Sequence, residues 1–177
     1  MLKRQTGFTL IELVMTIAML SILALAAIPR LANTGEARVE GAMRKLISDM
    51  SYARRLAMSR CTSSGNPCSY YEIAFDDDRD SYSIFDSSGN YARDPLAGGT
   101  SLMRDLTFNS TPMFSGVMID SPEFGDTSGA SVRFDYAGIP YDNAGSPLGS
   151  VGRVWLNYPG TSRSVGVYPE TGLIDIY

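Results

Sequence analysis

The sequence predicts an α+β protein in which one long N-terminal helix, membrane-spanning over its first half, packs its second half on an antiparallel β-sheet head. Three observations predict it. An apolar run from Phe8 to Ile28 carries a single ionisable side chain, Glu12. A stripe of apolar residues at three- and four-residue spacing follows as far as Ser59. Beyond it the composition shifts to Gly, Ser, Asp, Tyr and Pro with short alternating apolar runs, which is the signature of strands and turns.

The first helix follows from length. The Phe8-to-Ile28 run, at about 1.5 Å rise per residue, spans roughly 30 Å, the thickness of a bilayer's hydrocarbon core. Lys3 and Arg4 precede it and hold the N-terminus in the cytoplasm by the positive-inside rule. A secretory signal peptide also has a basic start and an apolar run, with Ala24-Leu25-Ala26 as a cleavage site, and a plain membrane anchor needs nothing more. Neither explains Glu12. An acid in an apolar membrane segment costs on the order of 3 kcal/mol or more, and the usual reason for one is a partner that appears later.

The helix resumes beyond Pro29, with Val39, Met43, Leu46, Ile47, Met50, Ala53 and Ala57 on one stripe. Glu36, Glu40, Arg44, Lys45, Arg54 and Arg55 fall largely off it, and Glu40 and Arg44 make an i,i+4 pair. A continuous helix from Phe8 to Ser59 would be roughly 78 Å long, with Pro29, Gly35 and Gly41 as points of bending or local melting. The expected segments are a short basic stretch at 1–7, a membrane helix at 8–29, its amphipathic continuation at 30–60, and a β-rich head at 61–177. The head has the length of one domain.

Up to eight strands are expected in that head: Ser69 to Phe75, Tyr82 to Phe85, Leu102 to Phe108, Val117 to Ile119, Val132 to Tyr136, Arg153 to Tyr158, Ser164 to Tyr168 and Leu173 to Tyr177. The turns Pro159-Gly160-Thr161 and Pro169-Glu170-Thr171-Gly172 join the last three into an antiparallel meander. Trp155, the sole tryptophan, is expected to pack in the core.

The net charge of −4 conceals an asymmetry. Arg30 to Arg60 holds seven basic and three acidic side chains, whereas Cys61 to Tyr177 holds six basic and fifteen acidic. The separation disfavours nucleic acid as the head's partner and suits packing of basic stalk against stalk or of stalk against an acidic neighbour, the plainer alternative being a solvated helix face.

The segment Gly7-Phe8-Thr9-Leu10-Ile11-Glu12 behind a short basic leader, with an apolar run closed by Pro29, resembles the type IV prepilin family. The resemblance implies that a membrane prepilin peptidase cuts between Gly7 and Phe8 and N-methylates Phe8. It also implies that Glu12 on one subunit neutralises the new Phe8 amine of its neighbour during assembly, in surroundings of low dielectric where such pairing is strong. Met43 to Ser59 with Leu46, Asp49, Met50, Ala53, Arg54 and Ala57, then Val132-Arg133-Phe134-Asp135 with Gly138 and Pro140, then Val165-Gly166-Val167-Tyr168-Pro169 with Thr171-Gly172, is similar to the GspH/FimT branch of minor pilins and pseudopilins. That branch implies a long helix on two antiparallel sheets. It also implies a subunit present in few copies that helps start a type II secretion pseudopilus or a type IV pilus. Its partners would be other pilin or pseudopilin subunits, the prepilin peptidase and the inner membrane, with the head on the periplasmic side.

Cys61 and Cys68 are the only cysteines. An even count outside the cytoplasm points to a disulfide closing the Thr62-to-Pro67 loop; structural zinc wants four ligands, and there is no histidine. Asp76, Asp78 and Asp80 share the alternate spacing of a calcium loop, but Ser81 and Ser87 stand where that loop has Gly and Glu. A hairpin turn is the plainer reading of this cluster. Some members of the GspH/FimT branch bind DNA through C-terminal basic residues; here that region offers Arg153 and Arg163 against Glu170 and Asp175, while phosphate binding wants clustered cations. With no histidine, no nucleophile elbow and no P-loop, catalysis is not expected, nor is a cofactor or small-molecule substrate.

Overall fold

A computed structural model describes residues 9–32, 34–65, 68–125 and 130–177, with only the backbone given over 24–32 and at Thr34. The leader, with Gly7 and Phe8, lies outside the described residues. The chain divides into two compact units, Met1–Thr34 and Gly35–Tyr177.

The first unit contains α1 (Leu10–Ala32), which passes through Pro29. Among its described residues the second contains α2 (Thr34–Arg60) from Gly35 onward and nine strands: β1 (Tyr70–Asp76), β2 (Ser81–Asp86), β3 (Leu106–Thr107), β4 (Met118–Glu123), β5 (Ser131–Asp135), β6 (Pro140–Tyr141), β7 (Gly152–Tyr158), β8 (Thr161–Val167) and β9 (Ile174–Ile176). They form a five-stranded sheet of order β3-β2-β1-β5-β6 and a four-stranded sheet of order β4-β7-β8-β9, antiparallel throughout. The fold is α+β, a helix packed on antiparallel sheets, in keeping with a pilin-like architecture.

The stripe on α2 explains the packing. Val39, Ala42, Met43, Leu46, Met50, Ala53, Leu56 and Ala57 are all buried, and they join one core with Ile73, Ile84, Val132 and Phe134 of the first sheet and Val154, Leu156, Val165 and Val167 of the second. Burying each large side chain contributes about 1.5–3 kcal/mol relative to leaving it in water. A chain of rings crosses this core: Phe114 meets Phe108 edge-on at 6.2 Å, Phe108 meets Tyr82 at 5.8 Å, Tyr82 meets Phe75 at 6.1 Å, and Phe75 stacks on Phe124 at 5.7 Å. Glycines receive both ends. A Cβ on Gly41 of α2 would stand 2.8 Å from Phe114, and one on Gly152 of β7 would stand 2.4 Å from Phe124.

Several expectations need correction. Gly35 and Gly41 lie inside α2 rather than at points of melting; their role is close packing, since a Cβ on Gly35 would meet the Tyr158 ring at 2.7 Å. The expected strand Leu102 to Phe108 contracts to β3, because Asp105 turns the backbone to φ 47° and Phe108 begins a 3-10 turn. A ninth strand, β6, was hidden by Pro140, which can begin an edge strand where no N–H is required. Trp155 does not enter the core. Its neighbours Val154 and Leu156 are buried, so the two-residue alternation of β7 turns Trp155, half-buried, to the outer face of the second sheet. The terminal meander β7-β8-β9 forms as expected, with Gly160 (φ 83°) in its first turn and Glu170 and Gly172 (φ 63° and 62°) in its second.

Candidate functional site

The candidate functional segment is α1. Its hydroxyls are consumed internally: Thr16 Oγ1 donates to the Leu13 carbonyl and Ser21 Oγ to the Ile17 carbonyl, each at 2.8 Å. What the helix then presents is apolar. Leu10, Ile11, Leu13, Val14, Met15, Ile17, Met19, Leu20, Ile22 and Leu23 are all more than half exposed in the single chain. A helix apolar all round belongs in lipid or among other helices, because water penalises every one of those faces.

Glu12 is the one ionisable group among the described side chains of α1. The first turn of α1 begins with the Glu12 and Leu13 amides donating to the Thr9 carbonyl at 3.1 and 3.2 Å. Among the described residues nothing pairs with the Glu12 carboxylate, and Phe8 is outside them. The described side chains of α1 end at Leu23, and among the described residues no helix is long and apolar enough to cross a membrane.

The head is tied to α2 by polar contacts that sequence reasoning did not find. Asp49, buried within the apolar stripe, accepts a hydrogen bond from Tyr82 Oη at 2.6 Å and pairs with Lys45 Nζ at 2.7 Å. Desolvation by burial is the main cause that pushes the Tyr82 phenol well above its ordinary pKa, with the Asp49 charge and hydrogen bond and then the Asp94 charge adding to it. Arg54 reaches across both sheets, its Nε donating to the Gly138 carbonyl (3.1 Å) after β5 and its Nη2 to the Thr171 carbonyl (2.8 Å) before β9. Near its start α2 is held by Arg163 on Glu36 at 3.1 Å and by Arg38, which donates to the Ser115 carbonyl at 2.8 Å and lies over the Tyr158 ring. The one signal available beforehand was an aspartate on an apolar stripe, which demands buried partners.

Cys61 and Cys68 are joined by a disulfide, with Cα atoms 4.6 Å apart, where α2 gives way to β1. Asp76 and Asp80 flank the β1–β2 hairpin turn but reach in different directions: Asp76 accepts from the Arg79 amide at 3.1 Å, and Asp80 accepts from the Ile119 amide at 3.0 Å, linking the hairpin to β4. Asp78 lies within the turn. Among the described residues no group of three or more His, Cys, Asp or Glu side chains is placed to hold a metal ion. Arg153 and Arg163 do not cluster. Arg153 pairs in register with Gly166, and Arg163 with Leu156, which places them on opposite faces of the second sheet; Arg153 stacks on Tyr177 while Arg163 is paired with Glu36.

Residues 2–28 match the family model described as the prokaryotic N-terminal methylation motif. The motif supports a type IV pilin-like precursor, processed by prepilin peptidase, whose N-terminus is anchored in a membrane before it assembles with other pilins. Neither a curated protein nor a solved structure matches the chain.

Proposed function

We propose that this chain is a minor pilin or pseudopilin of the GspH/FimT type, a non-enzymatic subunit that helps start a type II secretion pseudopilus or a type IV pilus. In this reading the cut falls between Gly7 and Phe8, Phe8 is N-methylated, and the chain waits in the inner membrane with its head in the periplasm. The observation that carries it is Glu12, the one ionisable group among the described side chains of an exposed apolar helix, inside the segment that matches the methylation motif.

The chemistry is a docking step. Proteolysis creates a cationic amine on Phe8, and the Glu12 carboxylate of an adjoining subunit neutralises it where the dielectric is low and the attraction large. Both charges then leave lipid as a pair, which offsets the cost of carrying either alone. Residues 61–177 supply an acidic head, and the disulfide suits an oxidising compartment.

Mass spectrometry of the mature N-terminus tests the first half: a chain beginning with N-methylated Phe8 supports the reading, and one beginning near Ala27 defeats it. Glu12→Ala tests the second. The variant is expected to be processed and inserted normally but to enter fibres poorly, and incorporation at native levels would refute the pairing.

A further inference from the structure

The geometry points to β9 as a docking edge for an extended segment of a partner protein that alternates apolar and cationic residues. A sheet edge is a template for another strand unless something blunts it. Among the described residues, three of the four edges are blunted. β3 and β6 are two residues long, and β6 begins with Pro140. β4 contains Pro122, Ser121 at φ 44° and a register shift between Asp120 and Glu123.

β9, three residues long, has no proline, no positive φ and no register shift. It keeps unbroken register with β8, pairing Ile174 with Val167, Asp175 with Gly166 and Ile176 with Val165. The ladder bonds run from the Tyr168 amide to the Leu173 carbonyl and from the Tyr177 amide to the Ser164 carbonyl, both at 2.9 Å, so the main-chain groups of Ile174 and Ile176 face away from β8. Leu173, Ile176 and Tyr177 are about half exposed around them.

One guard remains, and it identifies the occupant. Asp175 Oδ1 accepts the outward Ile176 amide at 2.8 Å. An incoming strand must take that amide for itself and leave the carboxylate a new partner. A lysine or arginine facing Asp175 does so, and apolar residues on either side of it would meet Ile174 and Ile176. Asp175 has no ion-pair partner among the described residues, since Arg153, across Gly166 on the same face, is stacked on Tyr177. A second copy is a poor occupant, because antiparallel pairing of two β9 strands centred on Asp175 would set the two carboxylates against each other. Such an edge docks a strand whether or not the chain enters a fibre.

The test uses the full-length chain in detergent micelles, titrated with a blocked heptapeptide alternating valine and lysine and with its valine and glutamate counterpart. The lysine peptide is expected to slow amide exchange at Ile174 and Ile176 and to bind at least about tenfold more tightly than the glutamate peptide, a preference that Asp175→Lys reverses. Ile176→Pro removes the outward amide without touching a bond to β8 and should abolish protection at Ile174, with exchange at Val154 and Val165 confirming an intact sheet. No protection by either peptide, equal affinity for both, or a lysine preference that survives Asp175→Lys would overturn the assignment. So would concentration-dependent self-association that competes with the peptide, which would give the edge to a second copy.

Discussion

Asp49→Ala is the sharpest probe of how the helix is locked to the head. The substitution leaves the Tyr82 hydroxyl, on a residue only 1% exposed, without its acceptor at 2.6 Å. A buried donor so stranded costs about 1–3 kcal/mol. Lys45 also loses its partner, but its side chain is 28% exposed and can turn towards water, which limits that loss to about 1 kcal/mol. The expected total is about 3 kcal/mol, a fall in melting temperature of around 10 °C for a unit of this size. Urea unfolding of the full-length chain in micelles, followed by the fluorescence of the sole tryptophan, Trp155, measures it. Asp49→Asn, which still accepts from Tyr82, should lose less. If Asp49→Ala costs under about 1 kcal/mol, or if its effect simply adds to that of Tyr82→Phe in a double-mutant cycle, the lock does not work as described.

Other outcomes follow from the same contacts. The Tyr82 phenol is raised above its reference value of 10.0, so the stability it contributes is complete below pH 10 and falls as pH climbs from there towards its folded value; alkaline unfolding of Tyr82→Phe should be the shallower of the two in this range. Gly172→Ala would put a Cβ 2.3 Å from the Gly138 carbonyl oxygen at a φ of 62°, prising apart the two loops that Arg54 joins, and is expected to cost about 2–4 kcal/mol in the same urea assay. Replacing both Cys61 and Cys68 by serine should cost about 2–3 kcal/mol on the loop-closure model, and an unchanged urea midpoint would show that the short loop is ordered without the bond.

How much was legible beforehand depended on range. The stripe on α2 anticipated Val39, Met43, Leu46, Met50, Ala53 and Ala57 as buried, because a repeat near 3.6 residues is itself the geometry of the face. The meander β7-β8-β9 was legible for the same reason, with alternation and two turns each confined to a few residues. Hydrophobicity alone sends Trp155 inward, but parity overrides it: Val154 and Leu156 claim the inner face, and their neighbour must take the outer one. β6 is not legible locally, because two residues beginning with Pro140 carry no periodicity and only pairing with β5 makes them a strand.

The sequence by itself determined the apolar N-terminal segment with its single acid, the amphipathic helix after it, and the order of most strands, since each is written in the spacing of neighbouring residues. Only the tertiary structure decided that Asp49 meets Tyr82 33 residues away, that Arg54 clasps the carbonyls of Gly138 and Thr171, and that β9 is left as the open edge. Those outcomes depend on where distant segments arrive when a shared core is packed. No local pattern encodes that arrival, because the energy that selects it belongs to the contacts themselves.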